Sequence, residues 1–579
     1  MSKLTGAQII VEALKREGVE VIFGYPGGQA IPIFDALYDS PEIRVILTRH
    51  EQAAVHAADG YARTTGKPGV CLVTSGPGAT NTITGLATAN FDSVPVICLC
   101  GQVPTTMIGI DAFQEADITG MANSVTKHNY LVHKIEELAE TIKNSFFIAN
   151  TGRPGAVLID IPKDVSVNKY EFNYDFEVNI RGYKPHIEGH LNQIKKAVQL
   201  IEAAERPVAI VGGGAIISGA SDEIIEFISK CDIPVTATLN GLGCVAFDSP
   251  YFLGMHGMHG TIQANKAIQQ SDLIIALGSR FDDRATGKLS TFAPNAKIIH
   301  MDIDSASISK NVEVKVPVVG DLKNILKQML PLLNQKKNEK WMSIITELKA
   351  VKHEILRDQK RLTSIEVMEV LNSKVDSNTI IATDVGQHQM WTALYYNFMK
   401  PRTLLTSGGL GTMGYGFPAA IGAQLVNTDK PVVCITGDGS FQMNIQELAT
   451  AVIERLPVII VIMNNGYLGM VRQWQDLFFD KRYSSTCLMN CDHRDKECNG
   501  DYNSCMKFIP DFVKVAEAYS AKGFRVTNKL QLSEAFDKAF ANRSGPFIID
   551  IITEREENVW PMVPAGASLD EIMRGGTVS

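Results

Sequence analysis

The sequence has no apolar run long enough to cross a bilayer, so no membrane-spanning helix is expected. It also lacks an excess of basic residues, because 55 lysines and arginines against 63 acidic residues leave a net charge of −8. Neither nucleic acid nor an acidic membrane surface is therefore an expected partner. The N-terminus enters an amphipathic helix at once, without a recognisable signal or transit segment, which is typical of a cytoplasmic protein of prokaryotic type.

A disulfide framework is also missing, although the chain has 10 cysteines. Most of those outside one cluster occupy apolar, strand-like runs, where a thiol behaves as a small buried hydrophobe in a reducing compartment. These scattered residues are Cys71, Cys98, Cys100, Cys231, Cys244 and Cys434. The remaining cysteines lie between Cys487 and Cys505, together with His493. Zinc binding, a disulfide and a mobile loop are all open for this segment, because its spacing matches no standard zinc knuckle.

What the sequence does have is a repeated alternation of short apolar runs with helix-length stretches, which predicts α/β domains with parallel sheets. Its length of 579 residues requires several domains rather than one core. We predict three consecutive domains, of which the first and third are alike. The predicted boundaries are 1–167 for the first domain, 168–188 for a linker, 189–335 for the middle domain, 336–360 for a second linker, 361–555 for the third domain and 556–579 for a C-terminal tail.

Two short polar motifs end two successive apolar runs in the third domain. Gly437-Asp438-Gly439 closes the first run and Asn464-Asn465 closes the second, with a helix predicted over 444–452 between them. Both motifs therefore fall at strand carboxyl ends, where open α/β sheets bind ligands. Asp438 and Asn465 offer oxygen ligands for Mg²⁺, and the glycines let a diphosphate approach a helix N-terminus. Either motif alone fits a tight turn, whereas the pair is typical of the magnesium–diphosphate site of thiamine diphosphate enzymes.

A candidate catalytic carboxylate opens a helix in the first domain. Glu51 follows the apolar segment 43–47 and precedes the helical stretch 53–63. An isolated glutamate at such a place is favoured by the helix dipole and needs no other explanation. Thiamine diphosphate, however, needs a carboxylic acid beside N1′ of its aminopyrimidine ring, and the magnesium motif downstream favours that role for Glu51.

Longer stretches resemble the catalytic subunits of the acetohydroxyacid synthase (acetolactate synthase) family over nearly the whole chain. Arg280–Arg284 and Gly469–Gln475 are the most specific of them. The other matching stretches are Gly24–Gly28, Thr74–Asn81, Gly101–Pro104, Asp111–Glu115 and Val559–Pro564. The resemblance implies an enzyme that decarboxylates pyruvate on thiamine diphosphate and joins the hydroxyethyl unit to pyruvate or 2-oxobutanoate. This would be the first shared step of branched-chain amino acid biosynthesis.

The same resemblance implies partners. Glu51 would act across a dimer interface on cofactor held by the third domain of the other chain, so a homodimer is the smallest expected active unit and a tetramer is open. A small regulatory subunit is a further expected partner.

Two alternatives remain: another thiamine enzyme, such as a catabolic acetolactate synthase or a pyruvate oxidase, and a non-catalytic relative. The specific stretches argue against the first, and the joint presence of Glu51, Asp438 and Asn465 argues against the second.

By this resemblance, further residues contact cofactor and substrates. Met413 would prop the cofactor in a bent form, Gln114 would contact an intermediate, and Trp474 would shape the pocket of the second substrate. Lys163 and Arg472 are candidates for binding anionic groups of substrate. The implied magnesium ligands are Asp438, Asn465 and the backbone carbonyl of Tyr467. The implied thiamine diphosphate residues are Gly27, Gly28, Pro77, Asn81, Gln387, His388, Gly411, Met413, Gly437, Gly439, Ser440 and Met470.

The middle domain resembles the family's FAD site. Its three glycines at 212–214 follow a strand-like run, although such a triplet alone fits a tight turn. The histidines at 256 and 259 would suit a metal by composition, but no acidic neighbours stand at ligand spacing. Because the implied reaction moves no net electrons, FAD would be chiefly structural. The implied FAD residues are Arg153, Gly212, Gly213, Gly214, Met258, His259, Gly278, Arg280, Asp282, Arg284, Asp302, Ile303 and Asp321.

Two places depart from the family pattern. Gln29 follows Pro-Gly-Gly where the family usually has a small residue, so its side chain is predicted to reach toward the cofactor. The Cys487–Cys505 segment stands where commoner members have a shorter loop. Since it lies close to Trp474 in sequence, a redox-sensitive lid is one hypothesis for it.

Overall fold

The computed structural model of the chain describes residues 3–350, 361–489, 509–575 and 577–578. Its first domain has a six-stranded sheet in which every pair is parallel. Counted along the chain, the strands lie in the order second, first, third, fourth, sixth, fifth. Across the sheet they are Arg44–Leu47, Val21–Gly24, Gly69–Val73, Val96–Gln102, Val157–Pro162 and His128–Leu131.

The third domain repeats this arrangement. Its six-stranded parallel sheet has the same strand order, so the first and third domains are alike, as the sequence predicts. Across the sheet the strands are Leu404–Leu405, Ile380–Thr383, Val432–Gly437, Ile459–Asn464, Phe547–Ile552 and Lys522–Val526.

The middle domain has a different parallel sheet, in the order third, second, first, fourth, fifth, sixth. This is the order of dinucleotide-binding folds, whose ligands bind where the strand order reverses. Here the reversal lies between Pro207–Val211 and Leu273–Leu277. Across the sheet the strands are Phe252–Met255, Val235–Ala237, Pro207–Val211, Leu273–Leu277, Lys297–Asp302 and Val316–Val319. The predicted α/β class with three parallel-sheet domains is confirmed.

Helices connect the strands of each sheet. Several begin at a capping side chain, as where Thr5 and Gln8 form a capping box at the first helix. In the first domain the helices are Gly6–Arg16, Ile31–Tyr38, Glu51–Thr65, Pro77–Thr80, Ile83–Phe91, Ile118–Ala122, Ile135–Asn150 and Lys163–Val167. In the middle domain they are Leu191–Ala203, Gly213–Ile217, Ser221–Cys231, Ile262–Gln270, Asp283–Thr286 and Leu322–Met329. In the third domain they are Ser364–Lys374, Gln387–Tyr395, Gly416–Val426, Asp438–Phe441, Leu448–Ile453, Gly469–Phe478, Phe512–Ala518 and Lys529–Ala541.

The first and third domains share one hydrophobic core through two helices rich in small residues, Glu51–Thr65 and Gly416–Val426. Glycine is required at their closest approach. A Cβ on Gly60 would lie 2.1 Å from the carbonyl oxygen of Ala419, and one on Gly422 would lie 1.9 Å from another backbone oxygen. The helix that begins with Glu51 is therefore fixed against the third domain of its own chain.

The stretches predicted as linkers and tail carry structure of their own. Lys169–Glu171 pairs with Lys3–Thr5 as a two-stranded antiparallel ribbon. The predicted linker 336–360 contains the helix Glu339–Ala350, which buries Trp341, while its last ten residues lie outside the described part of the chain. The tail packs on the middle domain, where the N–H of Val563 donates to the carbonyl oxygen of Met258 at 2.7 Å. Among the described residues, no helix combines the length and apolar character needed to cross a membrane.

Candidate active site

One cavity of about 1240 Å³ lies where strand carboxyl ends of the middle and third domains converge. A single small-ligand pocket usually measures about 300–1,000 Å³, so this cavity has room for more than one ligand. Gly212 and Gly278 line the cavity on the side of the middle sheet, and Asp438 and Asn465 line it on the side of the third sheet. Every residue predicted to hold FAD lines this cavity. So do the third-domain residues predicted for thiamine diphosphate and Mg²⁺, together with Trp474.

Asp438 and Asn465 lie directly after the carboxyl ends of two paired strands, Val432–Gly437 and Ile459–Asn464. The Oδ2 atom of Asp438 accepts the N–H of Gly466 at 3.1 Å, which ties the two ends together. Burial raises the pKa of Asp438 to about 7, because the ionised carboxylate is desolvated there. A bound divalent cation favours the ionised form, so a buried carboxylate beside an amide oxygen fits a magnesium site.

The helix Gln387–Tyr395 begins beside these two residues. The Nε2 atom of Gln387 donates to Oε1 of Gln473 at 2.9 Å, and Oε1 of Gln387 accepts from Nδ2 of Asn465 at 3.4 Å. Burial lowers the pKa of His388 to about 3, so its imidazole is neutral. Its Nε2 atom has no hydrogen-bond partner among the described residues. A helix N-terminus with an unpaired polar atom beside a cation site fits a bound diphosphate.

Asp384 fixes the loop that carries Met413, and sequence reasoning missed it. Its Oδ1 accepts the N–H of Gly414 at 2.8 Å, and its Oδ2 accepts the N–H of Gly416 at 3.2 Å. Burial raises the pKa of the carboxyl group to about 6. The available signal was its position directly after the strand Ile380–Thr383, in the third sheet's row of ligand-facing strand ends.

Replacing Asp384 with alanine is expected to raise the dissociation constant of thiamine diphosphate by about 10–100-fold, as loss of a supporting residue typically does. The backbone N–H groups of Gly414 and Gly416 would lose their acceptor, and the loop around Met413 would loosen. Quenching of intrinsic fluorescence during cofactor titration measures the constant. Asp384→Asn keeps one acceptor oxygen and should lose less affinity; equal affinity in all three proteins would contradict the assignment.

The residues predicted for the pyrimidine end form a separate cluster in the first domain. The Nδ2 atom of Asn81 donates to Oε2 of Glu51 at 2.9 Å. A Cβ on Gly78 would lie 3.4 Å from Oε1 of Glu51, and one on Gly76 would lie 2.8 Å from the backbone oxygen of Gln114. This cluster lies outside the cavity wall, as do Gly27, Gly28, Pro77 and Lys163.

Apolar side chains beside this cluster face solvent. Phe113, the neighbour of Gln114, is 84% exposed, and Ile110 is 63% exposed. Contiguous exposed apolar patches are typical of surfaces that bind another molecule. Gln29 lies nearby, where its backbone N–H donates to Oγ1 of Thr74 at 3.3 Å. That its side chain reaches toward a cofactor stays a prediction.

Glu447 of the third domain holds the turn that precedes Glu51. Its Oε1 accepts the N–H of Arg49 at 2.8 Å, and its Oε2 accepts the hydroxyl of Thr450 at 2.7 Å. Burial raises the pKa of this carboxyl group to about 7. The contact joins residues 398 positions apart, so no local sequence pattern points to it.

The end of the cavity at which FAD is predicted, called the flavin end below, is built at the reversal of the middle sheet. Gly212 and Gly278 approach so closely that a Cβ on Gly212 would lie 2.1 Å from the carbonyl oxygen of Gly278. Arg153 reaches this end from the first domain and pairs with Asp304 at 3.3 Å. Buried wall atoms without a partner among the described residues are Asn240 Oδ1, His259 Nδ1 and Ser279 Oγ. A dinucleotide crevice with unpaired polar atoms fits FAD.

The histidines of the middle domain carry no metal cluster. Burial lowers the pKa values of His256 and His259 to about 4, so both are neutral. In the part of the chain that the structure describes, no three His, Cys, Asp or Glu side chains are grouped to hold a metal ion. Both residues line the flavin end of the cavity instead.

Trp474 lines the cavity from the helix Gly469–Phe478. The guanidinium carbon of Arg284 lies 5.6 Å from the centroid of its ring, within the range of a cation–π contact. Arg472, a candidate for binding substrate anions, is buried, and its Nη2 atom donates to the backbone carbonyl of Glu556 and to Oδ1 of Asn558. A role in binding substrate stays a prediction.

Only the start of the cysteine-containing segment is described. Cys487 is half-buried and pairs as an isolated bridge with Tyr467, while the N–H of Leu488 donates to the carbonyl oxygen of Gly466 at 2.9 Å. The segment therefore begins against the predicted magnesium site. Cys491, His493, Cys498 and Cys505 lie outside the described residues, and the hypotheses of zinc, disulfide and lid stay open with them.

Comparisons with known proteins agree with this architecture. Models of the thiamine pyrophosphate enzymes match three parts of the chain: the N-terminal TPP binding domain at 4–121, the central domain at 194–329 and the C-terminal TPP binding domain at 384–551.

The acetolactate synthase large subunit of Haemophilus influenzae is 47% identical over 99% of this chain and 98% of its own length. The Escherichia coli acetolactate synthase isozyme 3 large subunit is 44% identical over 99% of both chains. A probable acetolactate synthase large subunit of Methanocaldococcus jannaschii is 48% identical over 99% of this chain and 95% of its own. With such similarity along almost its full length, the chain belongs to the acetolactate synthase large-subunit family of thiamine pyrophosphate enzymes.

Proposed function

We propose that the chain is a thiamine diphosphate-dependent carboligase that decarboxylates pyruvate and joins the two-carbon unit to a second 2-oxo acid. The products would be 2-acetolactate from pyruvate and 2-aceto-2-hydroxybutanoate from 2-oxobutanoate. One observation carries the proposal: Asp438, Asn465 and Met413 meet at one end of a cavity whose other end is a dinucleotide crevice. The names of the relatives support the same activity.

Bound thiamine diphosphate supplies the nucleophilic carbon and the electron sink for decarboxylation. The residues of this chain bind and orient it. Asp438, Asn465 and the carbonyl of Tyr467 would hold Mg²⁺, and Met413 would contact thiamine diphosphate. Glu51 holds a proton at N1′ of the aminopyrimidine, and its carboxylate is oriented by Asn81. Positioning of this kind removes much of the entropic cost of the reaction.

The pocket for the acceptor 2-oxo acid is assigned to Trp474 and to Arg284, which the family resemblance also placed among the FAD residues. The guanidinium of Arg284 is held against the Trp474 ring, where it can pair with the carboxylate of a 2-oxo acid. Gln114 would contact the reacting groups from the first domain, and Lys163 stays a candidate for anion binding there. FAD would occupy the flavin end and contribute structure, because the proposed reaction transfers no net electrons.

A second copy of the chain would complete the site. Glu51 and Gln114 lie outside the cavity wall of their own chain, and exposed apolar residues surround them. We therefore propose a homodimer in which each first domain faces the partner's third domain, with a tetramer as a further assembly. The relatives are named large subunits, which supports a small regulatory subunit as an additional partner.

The test is an assay of acetolactate formed by the full-length protein from pyruvate, with thiamine diphosphate, Mg²⁺ and FAD omitted in turn. We expect no product without thiamine diphosphate or Mg²⁺, and less product without FAD although no flavin is reduced. Flavin reduction with formation of acetate or acetyl phosphate would assign the chain to the oxidase branch instead. Cofactor binding without any turnover would identify a non-catalytic relative.

Trp474→Leu is expected to lower the preference for 2-oxobutanoate over pyruvate by at least about tenfold, since contact with one extra methylene is worth about 1–3 kcal/mol. Competition between the two acceptors, followed by product analysis, measures the ratio. Phe479→Leu is the matched control, because Phe479 is an exposed aromatic residue of the same segment outside the cavity wall. An unchanged ratio in Trp474→Leu would remove Trp474 from the acceptor pocket.

A further inference from the structure

One buried carboxylate in the wall of the cavity joins all three domains. Asp92 follows the helix Ile83–Phe91 of the first domain, and its side chain has no exposed surface. Its oxygens accept hydrogen bonds from Arg63 at 2.9 Å, from the N–H groups of Gly408 and Gly409 at 2.9 and 2.8 Å, and from Nδ2 of Asn240 at 2.9 Å. The proposed function leaves this carboxylate without a role.

These donors connect the two ends of the cavity. Gly408 and Gly409 belong to the loop that leads to Gly411 and Met413, at the end of the cavity where thiamine diphosphate is proposed to bind. Asn240 comes from the middle domain and lines the flavin end, where its Oδ1 is buried without a partner among the described residues. A Cβ on Gly408 would lie 2.7 Å from Nδ2 of Asn240, so the loop and the asparagine are in direct contact.

A buried network of Arg63 and Asp59 of the first domain and Tyr415 of the third domain holds Asp92 in place. Arg63 pairs with both Asp92 and Asp59, and the hydroxyl of Tyr415 donates to the same Asp59 oxygen at 2.6 Å. Charge-assisted hydrogen bonds of this kind in a buried network resist rearrangement. If Asn240 moves, we therefore expect the loop that carries Gly408 and Gly409 to move with it, while Asp92 stays in place.

The residues on either side of Asp92 contact predicted FAD residues. The carbonyl oxygen of Phe91 accepts from Nη1 of Arg280 at 2.7 Å, and Oγ of Ser93 accepts from Nε of Arg153 at 2.9 Å. Each of the residues 91–93 thus accepts a hydrogen bond from a residue at the flavin end of the cavity.

We propose that Asp92 is a positioning residue through which occupancy of the flavin end sets the affinity for thiamine diphosphate. The proposal rests on the proposed function, because it requires both cofactors. A nucleotide that hydrogen-bonds Asn240 fixes this side chain on Asp92, and the shared carboxylate then fixes the loop that leads to Met413. A flavin that transfers no net electrons would in this way support catalysis at the other end of the cavity. Linkage requires that thiamine diphosphate tighten FAD binding by the same factor.

The experiment measures this coupling in the full-length protein without turnover. Thiamine diphosphate is titrated with Mg²⁺ in the presence and absence of saturating FAD, and FAD is titrated in the converse way. In the parent protein we expect each cofactor to tighten the other about tenfold, within the usual range of such couplings. In Asn240→Ala the factor should fall to near one while each cofactor still binds alone. Asp92→Asn is a second variant with the same expected loss of coupling.

Asn311→Ala is the matched control. Asn311 lines the same cavity, but its Nδ2 donates to the carbonyl oxygen of Phe281 at 2.8 Å and not to Asp92, so this variant should keep the parent's coupling. Absence of coupling in the parent, or the parent's factor in both Asn240→Ala and Asp92→Asn, would overturn the proposal. A protein that makes acetolactate without coupling overturns only this inference. A protein that shows coupling but makes no acetolactate overturns only the proposed function.

Discussion

Replacing Glu51 with alanine is expected to lower acetolactate formation by about 100- to 10,000-fold, the usual contribution of a positioned proton-transfer group. The carboxylate is the group proposed to hold a proton at the aminopyrimidine, and it accepts a hydrogen bond from Asn81. The proposed diphosphate and Mg²⁺ contacts come from the third domain, so the dissociation constant of thiamine diphosphate should change far less than the rate. Steady-state assays and cofactor titrations separate the two quantities.

Two further variants distinguish a role of Glu51 in proton transfer from a role in stabilising its helix. Glu51→Gln keeps the hydrogen bond with Asn81 but cannot hold the proton, so its rate should be close to that of the alanine variant. Glu136→Ala removes an exposed glutamate from the first turn of another helix, Ile135–Asn150, and should leave the rate unchanged. Equal losses in Glu51→Ala and Glu136→Ala would mean that Glu51 only stabilises its helix. Full activity in Glu51→Ala would refute the proposed mechanism.

Asp438→Ala is expected to weaken the joint binding of thiamine diphosphate and Mg²⁺ by at least about 100-fold, since loss even of a supporting residue can cost that much at a metal site. The carboxylate is the charged member of the proposed ligand set, and Mg²⁺ is held by few carboxylates together with substrate phosphates. Calorimetric titration with both ligands measures the affinity, and activity should be lost in parallel at ordinary cofactor concentrations.

The control for Asp438 is Asp429→Ala, because Asp429 is an exposed aspartate of the same domain. Asp438→Asn keeps an oxygen ligand without its charge and should fall between the parent and Asp438→Ala. Excess Mg²⁺ should partly restore binding in Asp438→Asn. Parent-like affinity in Asp438→Ala would remove the magnesium site from this strand end and with it the basis of the proposed function.

The residues that the sequence could place are those at strand ends. Gly437 and Asn465 each end an apolar run of the sequence. The alternation of apolar runs and helices is a local property of the sequence, so the strands and the motifs at their carboxyl ends could be predicted together. The same is true of the glycines at 212–214. Their neighbour across the sheet, Gly278, came from the family resemblance, because nothing local tells which strands pair.

The residues that the sequence could not place act over long separations. Asp92 reaches a loop 316 positions away, and Glu447 holds a turn 398 positions away, so neither has a local signal. Arg472 stands in a family-like stretch but turns toward the C-terminal segment, which only the packing of that segment decides. Glu51 belongs to a cluster that lies outside the cavity wall of its own chain.

A mixture of Glu51→Ala chains with Asp438→Ala chains tests the central claim most directly. Each variant alone should be almost inactive, because each lacks one half of every site. If the two halves come from different chains, random reassociation into dimers restores one intact site in each mixed dimer, or about a quarter of the parent's specific activity. Recovery of acetolactate formation on mixing is the predicted result. Mixed dimers that stay inactive would contradict a site built from the first domain of one chain and the third domain of the other.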